Sequence, residues 1–205
     1  MSKFAILLNG EITVTERLLA QVDGCEVIAA DSGIRNAEAL GLNVDLWVGD
    51  FDSTTPAEYE KYKNASRETW PEDKDLTDGE VALAAAVKRG ATSIVLVGAF
   101  GGRIAHVTSN MLLGFQFDGQ TVLTSGLEEG LPIDDTIMPD WPGDTIFSIL
   151  AFDDLKGVSI RGAKWPLDDV SVPAGSSRTL SNVVAGQLQV TVKTGRALLV
   201  AELED

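Results

Sequence analysis

Val81-Ala-Leu-Ala-Ala-Ala-Val87, followed at a short interval by Ser93-Ile-Val-Leu-Val97 and then Gly98, is the stretch that decides the fold class. The first run is helical in composition and spacing, since alanine and leucine lose little on entering a helix. The second is a short, continuously apolar, β-branched run, the signature of a strand buried on both faces of a parallel sheet. The same two textures recur on the N-terminal side. Phe4-Ala-Ile-Leu-Leu8, Val27-Ile-Ala-Ala30 and Leu46-Trp-Val48 are strand-like, and Gly, Asn or Asp follows each. Glu16-Arg-Leu-Leu-Ala-Gln-Val22 and Asn36-Ala-Glu-Ala-Leu40 are helical runs between them. This alternation predicts an α/β domain, a parallel sheet flanked by helices. Ligands of such sheets bind at the carboxyl ends of the strands, so the polar residues closing the strands are the candidates for function.

The texture changes beyond Gly119. Thr145-Ile-Phe-Ser-Ile-Leu150, Gly157-Val-Ser-Ile160, Leu188-Gln-Val-Thr-Val192 and Ala197-Leu-Leu-Val-Ala201 are short β-branched segments between Gly, Pro and Asp turns. They predict an all-β sandwich or barrel. Two domains are expected, 1–118 and 119–205, with the boundary between Phe117 and Thr121.

The chain has 205 residues, with 31 acidic side chains against 16 basic ones, a formal charge of −15. Such a chain does not bind nucleic acid by broad phosphate neutralisation, nor a membrane through a polybasic surface. At 44 % hydrophobic residues it is not an acidic disordered tail either. Cys25 is the one cysteine and His106 the one histidine, which excludes an internal disulfide and a His/Cys zinc site. Cys25 reads as a buried small hydrophobe. The apolar run at the N-terminus is too short for a signal sequence or a membrane span, so a soluble, cytoplasmic protein is expected.

Three strand-end segments could carry chemistry. In Val48-Gly-Asp-Phe-Asp-Ser53, Asp50 and Asp52 occupy alternate positions and in extended backbone would share one side. They could hold a hard cation such as Mg²⁺, and they also read as a solvated Asp-rich turn. In Asp73-Lys-Asp-Leu-Thr-Asp-Gly-Glu80, Thr77 and Glu80 form a capping box that predicts a helix start. Asp78 then falls in the first turn, where the helix dipole favours a carboxylate. Lys74 and Asp75 precede it, where a phosphate-binding lysine and a second acid would fit. In Val97-Gly-Ala-Phe-Gly-Gly-Arg103, glycines let backbone N–H groups approach an anion and Arg103 supplies a charged fork. The spacing is neither a dinucleotide fingerprint nor a P-loop, and an ordinary strand-to-helix turn has the same glycines. No nucleophile elbow accompanies His106, which reads as a residue positioning a first helical turn. Taken together, the three loops suggest a Mg²⁺–phosphate site. Asp45, Asp50, Asp52, Asp73, Asp75 and Asp78 concentrate negative charge around two of them.

These residues resemble those of the thiamin pyrophosphokinase family. The resemblance rests on Gly49-Asp-Phe-Asp-Ser53, Lys74-Asp-Leu-Thr-Asp78 and Gly101-Gly-Arg-x-x-His106 followed by Asn110. It extends to Asn9-Gly10, Ala30-Asp31, Gly162-Ala-Lys-Trp-Pro-Leu167 and Leu180-Ser-Asn182, in the family's order along nearly the whole chain. It implies an N-terminal α/β domain, a C-terminal β-sandwich and a homodimer. It implies transfer of a pyrophosphoryl group from ATP to the hydroxyethyl oxygen of thiamin, giving thiamin diphosphate and AMP. Asp50, Asp52 and Asp78 would hold Mg²⁺ and be catalytic. Asn9, Asp31, Lys74, Asp75, Gly101, Gly102 and Arg103 would serve the nucleotide. Ser181 and Asn182 would edge the thiamin, which lies between the α/β domain of one subunit and the sandwich of the other.

Two departures from the family bear on function, beside a Val44 that replaces the proline common upstream of the Gly-Asp-Phe-Asp-Ser motif. Ala105 stands where members usually carry the Asp of Gly-Gly-Arg-x-Asp-His, and Ser32-Gly-Ile-Arg-Asn36 differs from Gly-Gly-Ala-Asn. These departures leave two alternatives open: a pyrophosphokinase for another primary alcohol, such as a pterin or a thiamin precursor, and a non-catalytic binder of thiamin or nucleotide.

Overall fold

Parallel pairing organises the N-terminal half of the computed structural model, which describes residues 2–52, 54–70 and 75–203. The chain divides into two compact units between Gly126 and Leu127. The first unit contains strands β1 (Lys3–Leu7), β2 (Glu26–Ala30), β3 (Leu46–Gly49), β4 (Ser66–Thr69), β5 (Ser93–Val97) and β6 (Gln120–Thr124). Its helices are α1 (Glu16–Val22), α2 (Asn36–Ala39), α3 (Pro56–Lys61), α4 (Asp78–Lys88) and α5 (Ile104–Leu113), with a 3-10 turn over Asp31–Arg35.

The strand order is β6-β5-β1-β2-β3-β4, every pairing parallel. Ile6 stands opposite both Ile28 and Leu96, in the middle of a sheet whose central strands are buried on both faces. That double burial is why these strands read as unbroken apolar runs rather than alternating ones. β4 was not legible in this way. Its residues Ser66-Arg67-Glu68-Thr69 are all exposed, and it holds the sheet edge through backbone bonds to β3.

The chain leaves β1 in one direction through β2 and β3 to β4, then returns to lay β5 on the other side of β1. The strand order therefore reverses between β1 and β5, where open α/β sheets form a crevice. α4 packs on β1, β2 and β3. Gly79 in its first turn is closely packed: a Cβ there would stand 3.1 Å from a methyl of Leu113 and 3.3 Å from one of Leu8.

The second unit is antiparallel, with β7 (Glu128–Pro132), β8 (Asp135–Ile137), β9 (Ile146–Ala151), β10 (Leu155–Ala163), β11 (Leu167–Val172), β12 (Asn182–Val192) and β13 (Ala197–Glu202). Its order is β11-β10-β12-β9-β13-β7, and β8 also pairs with β12. β12 pairs with β9 at its beginning and with β10 and β8 further along. A long strand shared in this way turns the corner between the two layers of a sandwich. Leu188, Val190 and Val192 are buried in alternation with Gln189 and Thr191. The α/β-then-β architecture thus follows the sequence expectation. The division between units falls later than the 118/119 boundary, because β6 continues the parallel sheet beside β5.

Candidate functional site

The capping box predicted at Thr77 and Glu80 forms. Thr77 N–H donates to Glu80 Oε2 at 2.8 Å, and Glu80 N–H donates to Thr77 Oγ1 at 3.2 Å. The Thr77 backbone bond is the main reason the Glu80 carboxyl lies below its ordinary pKa. The cap starts α4 at Asp78, as expected.

α4 opens beside a cleft of about 580 Å³ at the β1/β5 reversal. Asn9 and Gly10 enter it from the end of β1, Asp31 and Ser32 from the end of β2, and Thr77 and Asp78 from α4. Gly101, Gly102 and Arg103 enter from the loop after β5, and Ala105, His106, Ser109 and Asn110 from α5. The β1 and β5 loops are locked together. Gly10 N–H donates to the Gly98 carbonyl at 3.0 Å, and Asn36 Nδ2 donates to the carbonyls of Leu8 and Gly10 at 2.9 and 3.0 Å. Asn110 Nδ2 donates to the Ala99 carbonyl at 3.1 Å. Gly101 and Gly102 have φ of +80° and +77°, a consecutive left-handed pair that side-chain-bearing residues resist. Arg103 follows as the N-cap of α5, so its guanidinium and the helix N-terminus share the cleft mouth.

Carboxylate oxygens of Asp31, Asp50 and Asp52 lie within 4.8 Å of one another. Asp31 is at φ +44° and Phe51 at φ +61°. Gly49, the last residue of β3, has φ +157°, and a Cβ there would sit 3.2 Å from the Asp31 Cβ. The ends of β2 and β3 are therefore close enough to bring the three acids together. Asp52 N–H donates to Asp50 Oδ1 at 3.1 Å. Three hard oxygen donors at such spacing suit a divalent cation of the Mg²⁺ type, which takes a few carboxylates and keeps further positions for water or phosphate.

The grouping differs from the expected set in one member. Among the described residues the carboxylates that cluster with Asp50 and Asp52 include Asp31, expected at the nucleotide, and not Asp78, expected as a metal ligand. Asp78 lies at the start of α4, while Asp31 directly adjoins the β3 end. Asp78 lines the cleft with Asp31 nonetheless.

Other expected residues separate in instructive ways. Asp75 is exposed and is not among the residues lining the cleft. Lys74 lies outside the described residues, as do Asp73 and Ser53. Asp45 is structural, its Oδ2 accepting the Val27 N–H at 2.8 Å. His106 is exposed, in the first turn of α5, and faces the cleft. Cys25 is half-buried, with burial pushing its thiol pKa up.

In the second unit, Ser181 and Asn182 border a cavity of about 390 Å³ with Trp165, Leu167, Arg178 and Leu180. Asn182 is buried and bonded to backbone: its Oδ1 accepts from Trp165 and Val183 N–H, and its Nδ2 donates to the Trp165 carbonyl. It frames the Trp165 backbone, and Trp165 itself, 54 % exposed, lines the cavity with the Lys164 ammonium 4.7 Å from its ring centroid. Trp165 and Arg178 were not singled out as site residues. An exposed tryptophan in a Lys-Trp-Pro turn was the signal available for the first.

These features define a two-unit protein, a parallel α/β sheet with a strand-end ligand cleft followed by an antiparallel β unit. The model of the thiamin pyrophosphokinase catalytic domain matches residues 21–123, and that of the thiamin pyrophosphokinase vitamin B1 binding domain matches residues 136–199. The chain belongs to the thiamin pyrophosphokinase family. It is 27 % identical over 178 residues to thiamine pyrophosphokinase of Bacillus subtilis, covering 78 % of this chain and 75 % of that protein. The fold is that of the B. subtilis thiamine pyrophosphokinase crystal structure, with TM-score 0.86, 20 % identity and complete coverage of both chains. Thiamin pyrophosphokinase from Candida albicans is also similar, with TM-score 0.82, 14 % identity, and 99 % and 89 % coverage. Among the described residues no helix is long and apolar enough to cross a membrane.

Proposed function

We propose that this chain is a Mg²⁺-dependent thiamin pyrophosphokinase. The hydroxyethyl oxygen of thiamin attacks the β-phosphorus of ATP, the bond from that phosphorus to the α,β-bridging oxygen breaks, AMP departs, and the hydroxyl proton is released. The observation that carries the reading is the Asp31, Asp50 and Asp52 oxygen group at the strand ends, with Asp31 also in the cleft that Gly101, Gly102 and Arg103 line. Asp31, Asp50 and Asp52 would hold the ion. When bound, Mg²⁺ neutralises phosphate charge that builds up during transfer.

The chain's own groups do the rest. The Gly101–Gly102 backbone and Arg103 receive phosphate oxygens at the α5 N-terminus. Asn9 closes the cleft from β1, and Asp78 adds a carboxylate across from Arg103. The thiazolium cation of thiamin is attracted by the acidic surroundings. Trp165 offers it an aromatic face, with Ser181 at the rim. A homodimer, in the cytoplasm, belongs to the same proposal. In its support, α5 fully buries only Leu113 and leaves Ile104 83 % exposed, an apolar surface suited to a second copy.

The test supplies ATP, Mg²⁺ and thiamin and measures AMP and thiamin diphosphate, with sedimentation reporting the subunit number. Asp50→Asn is expected to lower turnover by about 100-fold or more. Tight thiamin binding without AMP formation would overturn the enzymatic reading. A clear preference for another primary alcohol in an acceptor panel would overturn the substrate.

A further inference from the structure

We propose that Arg35 and Glu58 are a positioning pair that sets the spacing between Asp31 and the Asp50/Asp52 loop, and that cation affinity depends on this spacing rather than on the pair's charges. The proposal rests on the metal reading given above.

Asp31 opens the 3-10 turn that Arg35 closes. Asp50 and Asp52 lie in the segment joining β3 to α3, and Glu58 is in the first turn of α3. α3 is lightly anchored: none of its six residues is fully buried, and Tyr59, with Tyr62 just after the helix, is the part that packs against the core. That inner contact leaves the tilt of the helix to be set from its other side. Tyr59 sets its ring 5.7 Å from Trp47 and 6.1 Å from Phe51 on the inner side. On the outer side Arg35 Nε donates to Glu58 Oε1 at 2.7 Å, and Lys61 pairs with Glu38 of α2.

Glu58 is held at both oxygens. Its Oε2 accepts from the Thr55 N–H and Oγ1, each at 2.8 Å, closing the capping box of α3, while Oε1 receives Arg35. One carboxylate thus joins the helix cap following the Asp50/Asp52 loop to the turn beginning at Asp31. A solvent-exposed ion pair contributes little to global stability, so its consequence is sought in local geometry.

Charge and position predict opposite results for Arg35. Its guanidinium is near enough to Asp31 for that carboxylate to help raise its pKa, behind the larger effect of the Glu58 hydrogen bond. By charge alone, Arg35→Met removes a repelling cation and tightens metal binding, while Glu58→Gln removes an attracting anion and loosens it. By position, both substitutions release α3 and both loosen it. Gln at 58 retains an oxygen for the cap, so that variant separates the pair from the capping box.

The experiment titrates the full chain with Mn²⁺ and reads free Mn²⁺ by electron paramagnetic resonance, with thermal unfolding recorded for each variant. Arg35→Met and Glu58→Gln are each expected to weaken Mn²⁺ by about 10-fold. The double variant should be no weaker than the weaker single one, since both remove the same link. Arg35→Lys should stay within about twofold of the parent. At saturating Mg²⁺ the kcat of Glu58→Gln should be close to that of the parent, with the loss confined to the metal dependence. Unchanged or tighter Mn²⁺ binding by Arg35→Met overturns the positioning role. Where Arg35→Met melts early, Glu58→Gln and the lysine rescue decide. A parent chain that binds no Mn²⁺, or an Asp50→Asn variant that binds it equally well, overturns the metal reading and the pair with it. Loss in Asp50→Asn beside full affinity in both pair variants overturns the pair alone.

Discussion

The indole N–H of Trp47 donates to the backbone carbonyl of Asp31 at 2.8 Å. Trp47 lies in the middle of β3 with 0 % exposure, so a core side chain fixes the backbone of an acid at the edge of the cleft. Asp31 needs such a restraint because its φ of +44° is costly for a residue with a side chain. Phe51 meets the same indole edge-on, with ring centroids 4.9 Å apart. One buried ring therefore references both acid-bearing loops to the sheet.

Trp47→Phe removes the donor and part of the packed volume. The loss expected is about 2–4 kcal/mol in urea unfolding, combining a small cavity with an unsatisfied carbonyl. Mn²⁺ affinity should fall with it, since Asp31 is freed to turn. A variant that loses stability while binding the ion as tightly as the parent would show that Asp31 is held by other means.

Gly10→Ala tests the junction of the β1 and β5 loops. A Cβ on Gly10 would lie 2.2 Å from the carbonyl oxygens of both Gly98 and Phe100, so backbone has to move. Such overpacking typically costs about 1–3 kcal/mol. Because the displaced backbone leads into Gly101 and Gly102, KM for ATP should rise together with the loss of Tm. Gly24→Ala is a suitable control: nothing lies within 4 Å of its Cβ, and its φ of +68° imposes backbone strain alone, away from the cleft.

The legibility of this fold and site in the sequence follows from the physics of each element. β1, β2, β3 and β5 could be read because strands buried on both faces leave continuous apolar runs. α4 could be read because its cap uses local side chains, Thr77 and Glu80. β4 and α3 could not, since neither buries a residue and each depends on partners distant in sequence. The acids stand out in the sequence as residue types at strand ends, while which of them lie together does not. Whether Asp31 or Asp78 joins Asp50 and Asp52 depends on β2 lying next to β3, a matter of strand order that periodicity does not encode. Asn182 is expected at a ligand, and only the structure reveals that its amide also bonds the Trp165 backbone.

Acid should remove the small contributions of two exposed carboxylates. The Arg35 hydrogen bond, aided by Thr55, holds Glu58 at a pKa of about 2, and Arg196 likewise holds Asp153 at about 2. Folded-state pKa values below the ordinary ones mean that these contributions are complete above the unfolded pKa, about 4 for such groups. They fade as pH falls toward 2. The Tm deficit of Glu58→Gln and of Asp153→Asn relative to the parent should therefore be largest near pH 6 and close to nil near pH 2. Added salt should shrink it at pH 6, as expected for exposed charges. A deficit that persisted at pH 2 would assign it to lost packing instead of lost charge.

Asn182→Ala tests whether the second unit prepares its cavity through Trp165. The amide accepts from Trp165 N–H at 3.1 Å and donates to the Trp165 carbonyl at 2.8 Å, holding both sides of one residue's backbone. Nearby, Gly162 at φ +70° makes the bulge that turns the chain out of β10, and a Cβ there would stand 2.0 Å from the Gln187 carbonyl. Bulge and amide together fix the backbone that carries the Trp165 ring. Removing the amide takes a partner from three backbone groups, the Trp165 N–H and carbonyl and the Val183 N–H, and should cost about 1–3 kcal/mol of stability. If thiamin binds against that ring, KM for thiamin should rise by about 10-fold while kcat changes much less, the pattern of lost uniform binding. The double variant Asn182→Ala/Trp165→Ala should then match Trp165→Ala in KM, because the amide acts only through the ring. Additive losses in KM would instead mean that Asn182 contacts the substrate directly.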